Sequence, residues 1–222
     1  QQFKGIDFDW SDLIQILEND QNDSKTLFTI GHIYLDDILV PIDINKAIHY
    51  FTISANQGEI RSQTILMQIY MNGKYIKRDI NKGIHFLTLL ADQGDPRCQY
   101  LLSSFYFLND EIRPDINKAI HYLKMAADQN FYQAYYFLGK LYLQKNEVSK
   151  SIHYLSLSAD NYDDQTSQYL LGKIYSKEKY QNLNINKAIA YFVKLANNSI
   201  ATYLAQYQLG KIYSRNKFIN HD

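Results

Sequence analysis

Asp43–Tyr50 reads DINKAIHY, and the same eight letters return unchanged at Asp115–Tyr122. A near copy, DINKGIHF, occupies Asp79–Phe86. Weaker echoes are EVSKSIHY at Glu147–Tyr154 and NINKAIAY at Asn184–Tyr191. A phrase of this length recurring five times is an internal repeat, and the period sets the architecture before any other feature is weighed. The lysines of the phrase are Lys46, Lys82, Lys118, Lys150 and Lys187. A second series alternates with them: Tyr34, Tyr70, Tyr106, Tyr142, Tyr175 and Tyr213. Each unit of about 36 residues therefore holds two motifs roughly half a period apart, a length that suits a pair of helices.

The first motif of each unit, helix A, ends in the tyrosine. Four residues before it stand Ile30, Leu66, Leu102, Leu138, Leu171 and Leu209; one before it stand Ile33, Ile69, Phe105, Leu141, Ile174 and Ile212. Eight before it the residue is Thr26, Ser62, Cys98, Ala134, Ser167 or Ala205. Offsets of 0, −1, −4 and −8 share one helical face, which is the packing face. Cys98 occupies a small-residue slot on that face and reads as a buried filler. Three before the tyrosine stand Gly31, Met67, Ser103, Gly139, Gly172 and Gly210. Glycine inside a helix costs about 1 kcal/mol relative to alanine, so its recurrence implies that another helix approaches closely there.

The repeated phrase opens helix B. Asp43, Asp79 and Asp115 stand where an N-cap belongs, with a carboxylate for the unpaired backbone N–H groups. Ile48, Phe51 and Ala55 follow at i, i+3 and i+7, and Ala recurs at 91, 127, 159 and 196. Gly58, Gly94 and Asn130 come next, residues that tolerate the left-handed turn ending a helix. Each B helix is thus about 14 residues, roughly 20 Å. From Tyr142 to Lys150 the A-to-B connection is four residues shorter than elsewhere, which predicts a trimmed loop and a local change of superhelical twist.

The termini carry their own signals. Trp10, Leu13, Ile14 and Leu17 after Asp9 form an i, i+3, i+4, i+7 stripe, the pattern of an amphipathic helix covering the first repeat. The expected organisation is an N-terminal segment over 1–24 and a repeat array over 25–222, about five and a half repeats. Asp222 stands nine residues after Tyr213, as Asp79 does after Tyr70. That is the N-cap position of a sixth B helix, so the chain reads as a fragment of a longer array. The fold class expected is all-α, a right-handed α-solenoid of antiparallel helix pairs.

Several function classes find no support. Lys plus Arg equals Asp plus Glu at 23 each, and the pI is about 7.2, so no basic balance favours nucleic acid. No stretch approaches the roughly 18 apolar residues of a membrane span. A single cysteine allows no disulfide within the chain and suits a reducing, cytoplasmic setting. His49, His85, His121 and His153 recur at one helix B position. Zinc ligands must converge within about 4 Å, whereas equivalent positions in stacked repeats lie roughly 10 Å apart. A metal, a cofactor and a catalytic centre are therefore not expected, and the chain reads as a non-enzyme.

The stretch AYYFLGKLY at Ala134–Tyr142 resembles the A-x-Y-x-L-G-x-x-Y of Sel1-like repeats. Asp115, Lys118 and Ala119, with Ala126, Ala127 and Asn130, complete that pattern, and the resemblance covers about residues 25–222. Tetratricopeptide repeats proper keep a 34-residue period and a proline ending helix B, and neither fits. The family usually has two glycines in the A-to-B loop. Here only Gly73 of the first remains, and Leu39, Tyr75, Glu111, Tyr180 and Phe218 fill the second position. The resemblance implies an adaptor that holds partner proteins together. The Asn/Ile/Lys-rich style looks like that of protist arrays, which can be attached to kinase domains; no kinase motif occurs here. Some bacterial relatives carry paired cysteines in each repeat, a pattern that one cysteine excludes.

In helix-pair repeats the A helices line the concave side. Beside the packing face of A, six before each tyrosine, stand Phe28, Thr64, Tyr100, Tyr136, Tyr169 and Tyr207; two before it stand His32, Gln68, Ser104, Lys140, Lys173 and Lys211. These offsets are i, i+4 neighbours. The expected partner-binding residues are Tyr100, Tyr136, Lys140, Tyr169, Lys173, Tyr207 and Lys211, a ladder suited to an extended or acidic peptide or protein. The competing readings are that these tyrosines only pack between units, that the chain is a structural part of a large, for example cytoskeletal, complex, or that it is the regulatory array of a larger enzyme such as a kinase.

Overall fold

The computed structural model describes residues 15, 17, 23–108, 114–177, 183–197 and 202–219, with side chains to 214. Among the described residues the regular elements are helices. The A helices are α1 (Ser24–Leu35), α3 (Ile60–Asn72), α5 (Pro96–Leu108), α7 (Tyr132–Gln144), α9 (Gln165–Tyr175) and α11 (Thr202–Ile219). The B helices are α2 (Ile44–Asn56), α4 (Ile80–Asp92), α6 (Ile116–Asp128), α8 (Val148–Asn161) and α10 (Ile185–Ala196). Two compact units share them, Gln1–Cys98 and Gln99–Asp222, with the boundary inside α5. Of the proposed N-terminal stripe, Trp10, Leu13 and Ile14 lie outside the described residues; Leu17 packs on the core of the first unit. Asp222 also lies outside them.

Each A–B pair is joined by one recurring contact set. The N–H of the first residue of the phrase donates to the carbonyl of the helix A tyrosine. This bond links Asp43 to Tyr34, Asp79 to Tyr70, Asp115 to Tyr106, Glu147 to Tyr142 and Asn184 to Tyr175, at 2.8–2.9 Å. The side chains of Asp43, Asp79, Asp115 and Asn184 then accept from the N–H of Lys46, Lys82, Lys118 and Lys187 at 3.0 Å, as N-caps do. The lysine ammonium of the same phrase lies over the tyrosine ring at 4.6–5.3 Å in all five pairs. The aromatic residue seven after the cap stacks under that ring, with centroids 5.6–6.2 Å apart and planes within 5°. The pairs are antiparallel: Lys46, at the start of α2, covers Tyr34 at the end of α1, while Ser54 Oγ near the end of α2 donates to Ser24 O at the start of α1.

The fourth pair shows what the shortened loop changes. Asn146 turns the chain at φ 61°, and the Glu147–Tyr142 bond and the Tyr142–Tyr154 stack survive. Only the cap differs: Glu147 makes no side-chain cap bond and instead pairs with Lys150 at 2.6 Å. At the B-helix ends, Gly58 (φ 91°), Gly94 (φ 101°) and Asn130 (φ 60°) take the left-handed conformation. In the first unit Gly73 does the same at φ 65°, ending α3.

The core lies between the paired helices. Leu27, Ile30, Phe51 and Leu66 are fully buried in the first unit. In the second unit, Leu123 and Leu138 anchor one cluster and Leu155, Leu171 and Phe192 another. The helix A glycines admit a large helix B side chain. A Cβ on Gly31 would meet Phe51 at 2.7 Å, on Gly139 Leu155 at 2.5 Å, and on Gly172 Phe192 at 2.6 Å. Gly210 differs, with nothing within 4 Å, and Tyr213 beside it is 55% exposed.

Cys98 is buried in its small-residue slot, where burial and, secondarily, the Asp95 carboxylate push its thiol up to about 11. The thiolate is the reactive form, so the folded chain should resist Ellman's reagent at pH 8 and react on unfolding. Because the folded state holds this proton more tightly, its contribution to stability is present below the ordinary thiol pKa of 9.0 and is lost as pH rises toward 11. Fast labelling of the folded chain at pH 8 would contradict this. Gly139→Leu should destabilise by about 1–3 kcal/mol or more, since the site is already filled by Leu155. Gly210→Ala, in open space, should stabilise by up to about 1 kcal/mol. Thermal unfolding followed by circular dichroism compares the two, and an unchanged melting temperature for Gly139→Leu removes the packing argument.

Candidate functional site

The expected binding residues all lie in the second unit, and the structure gives them unequal surroundings. Tyr100 is half-buried against Phe131 (5.5 Å between centroids) and Phe137 (5.4 Å). Tyr136 is half-buried edge-on to Phe137 at 5.0 Å. Burial pushes both phenols above their ordinary pKa; for Tyr100 the second cause is Tyr136, and for Tyr136 it is Asp164. Tyr169 is half-buried, lies 6.1 Å from Phe192, and its hydroxyl accepts from Gln208 Nε2 at 3.5 Å. Tyr207 is 54% exposed. Three of the four rings thus fill space between helices while keeping part of their surface open.

The lysines complete the ladder. Lys173 covers Tyr169 and Lys211 covers Tyr207, each at 5.3 Å, the i, i+4 pairing that their spacing implies. Lys140 lies over Phe107 of α5, at 5.8 Å. Among the described residues, none of these three ammonium groups has a carboxylate within ion-pair distance.

In the first unit two of the corresponding positions, His32 and Gln68, line a cleft of about 420 Å³. His32, Leu35, Ile65, Gln68, Ile69 and Asn72 come from α1 and α3, while Lys74 and Tyr75 close it from the loop. Lys74 Nζ donates to Tyr75 Oη at 3.2 Å, and His32 Nδ1 lies 3.4 Å from Asp36 Oδ2. The sequence flagged the −2 positions His32 and Gln68. It gave no sign that the loop after Gly73 would bring Lys74 and Tyr75 beside them.

The histidine series is exposed at all four positions, each ring edge-on to the next aromatic residue at 5.0–5.2 Å. Among the described residues no three of His, Cys, Asp and Glu stand together as a metal site, and no helix is long and apolar enough to cross a membrane.

Residues 27–59, 68–95, 96–131, 133–163, 165–199 and 204–215 match the family model of the Sel1 repeat, well over half of the chain. Solved structures agree in fold. The protein c5321, a protective antigen present in uropathogenic Escherichia coli strains displaying an SLR fold, aligns with 96% of this chain at TM-score 0.59 and 23% identity. The chain spans 46% of that protein's length. A Sel1 repeat protein from Oxalobacter formigenes aligns with 81% of this chain and 76% of its own, at TM-score 0.50 and 24% identity. MamA aligns with 77% of this chain and 91% of its own, at TM-score 0.50 and 22% identity. No curated protein matches the chain. Six matched repeats, alternating A and B helices and the likeness to solved helix-pair solenoids agree: the chain belongs to the Sel1 repeat family.

Proposed function

We propose that the chain is a non-catalytic protein-interaction scaffold, working in the cytoplasm, whose second unit holds an acidic, extended segment of a partner along its A helices. The observation that supports this reading most is the row Lys140, Lys173 and Lys211. Each ammonium lies over an aromatic ring, and none has a carboxylate near it among the described residues. A cation held on a ring is positioned at little further entropic cost, and its unused hydrogen-bond donors favour carboxylates on the partner. Tyr100, Tyr136, Tyr169 and Tyr207 supply apolar surface beside them, with few rotatable bonds to order on binding. Family membership favours interaction over catalysis, because Sel1 repeats generally mediate protein contacts.

The double variant Tyr136→Ala with Lys173→Glu should abolish partner capture in affinity purification with mass spectrometry while leaving helical circular dichroism unchanged. Because Tyr136 is half-buried, a second variant changes only cations, Lys140→Glu with Lys211→Glu, and should also lose the partner. Capture that survives both variants places recognition on another surface.

A further inference from the structure

Five stacked ring pairs in this chain share one plan, an A-helix tyrosine with a lysine over its outer face. Two further stacked contacts break it. The Tyr162 ring lies 5.5 Å from Tyr132, with planes 29° apart, and 5.9 Å from Tyr135, with planes 22° apart. Among the described residues no cation stands over any of these three rings. Tyr132 is 50% exposed and Tyr162 41% exposed.

The repeat does not require these tyrosines. Tyr162 caps the C-terminus of α8, where Gln57, Gln93 and Gln129 cap α2, α4 and α6. Tyr132 opens α7, where Gln165 opens α9 and Ile60 opens α3. Tyr135 stands seven before Tyr142, where Gln63, Gln99 and Gln168 stand before their own tyrosines. Tyr135 retains a structural bond, its hydroxyl donating to Ala127 O at 3.1 Å, as the Gln63 amide does to Ala55 O at 3.2 Å. Among the described residues the hydroxyls of Tyr132 and Tyr162 make no such bond.

One carboxylate stands beside the stack, at the turn where the Tyr135 hydroxyl meets Ala127 O and Asn130 Oδ1; a second, Asp160, turns to α10. Asp128 ends α6, is exposed, and acts on Tyr135, whose phenol is pushed up first by burial, then by Tyr162, then by Asp128. Asp160, two residues before Tyr162, is exposed and accepts from Tyr191 Oη at 3.4 Å. Neither carboxylate makes an ion pair among the described residues. Asp163 is already occupied, by Lys194 at 3.1 Å and the Gln168 amide at 2.7 Å.

We infer that the Tyr132–Tyr162–Tyr135 stack, with Asp128 beside it, is a docking site for an arginine-bearing segment of a partner protein. The planar, weakly hydrated guanidinium stacks on a tyrosine face and keeps its edge donors for a carboxylate, which an ammonium does less well. A nucleic acid fits poorly, since its phosphates would meet the Asp128 carboxylate. The site lies at the turns between repeats and is opposite in sign to the lysine ladder of the A helices.

The test uses the full chain and a fluorescein-labelled peptide of alternating arginine and glycine, with a lysine–glycine peptide as comparison, followed by fluorescence anisotropy. The arginine peptide should bind, and the lysine peptide should bind more weakly. Tyr132→Gln with Tyr162→Gln installs the residue type that other repeats use. It should weaken arginine-peptide binding about three- to fivefold or more, with helical circular dichroism retained. Asp128→Asn should also weaken binding and flatten its salt dependence, and it decides the matter if the first variant loses helicity. Absence of binding, equal binding of the two peptides, or wild-type affinity in both variants overturns the inference. Lys173→Glu should leave this binding unchanged, so failure here and failure of the A-helix reading are separable.

Discussion

A single backbone hydrogen bond underlies the rest of the structure: the N–H that opens each B helix donates to the carbonyl of the tyrosine that closes the preceding A-helix motif. It recurs at 2.8–2.9 Å in five pairs. An A helix must satisfy its terminal carbonyls, and a B helix must place its first residue without help from a helical partner. Joining the two requirements fixes the antiparallel pairing at one point. Lysine over tyrosine and aromatic under tyrosine then set the rotation of B against A. The notch at Gly31, Gly139 or Gly172 sets how closely the helices approach. Knob and notch are only loosely matched: Phe51, Leu155 and Phe192 face glycine, whereas Leu87 and Leu123 occur in the pairs that carry Met67 and Ser103.

Much of this was legible from spacing alone. The caps at Asp43, Asp79 and Asp115, the left-handed closures at Gly58, Gly94 and Asn130, and the buried small residues such as Ser62, Ala134 and Ser167 all follow from local chemistry repeated in register. The role of the phrase's lysine did not. Lysine in the first turn of a helix reads as a solvated surface residue, and its use depends on a ring about a dozen residues earlier that only the folded pair brings beneath it. The missing cap bond at Glu147 was hidden for a similar reason. Its carboxylate has a nearer competitor in Lys150, and one extra methylene changes its reach.

The candidate surfaces were legible only in part, because recognition rests on departures from the repeat while periodicity reports what the repeat shares. The i, i+4 spacing placed Lys173 on Tyr169 and Lys211 on Tyr207, but it did not foresee Lys140 crossing to Phe107. That choice depends on a neighbouring A helix and not on the lysine's own. The cleft of the first unit likewise draws Lys74 and Tyr75 from a loop whose path is set by the left-handed Gly73.

The fourth A-to-B loop has a consequence for how such a chain can change. Between Tyr142 and Glu147 only four residues intervene, against eight between Tyr70 and Asp79, yet the carbonyl bond and the ring stack are the same. Loop closure depends only weakly on length. These connections are therefore places where residues can be gained, lost or replaced by a foreign segment while the helix register stays fixed. New binding loops, epitopes or sensor peptides could be grafted there one repeat at a time.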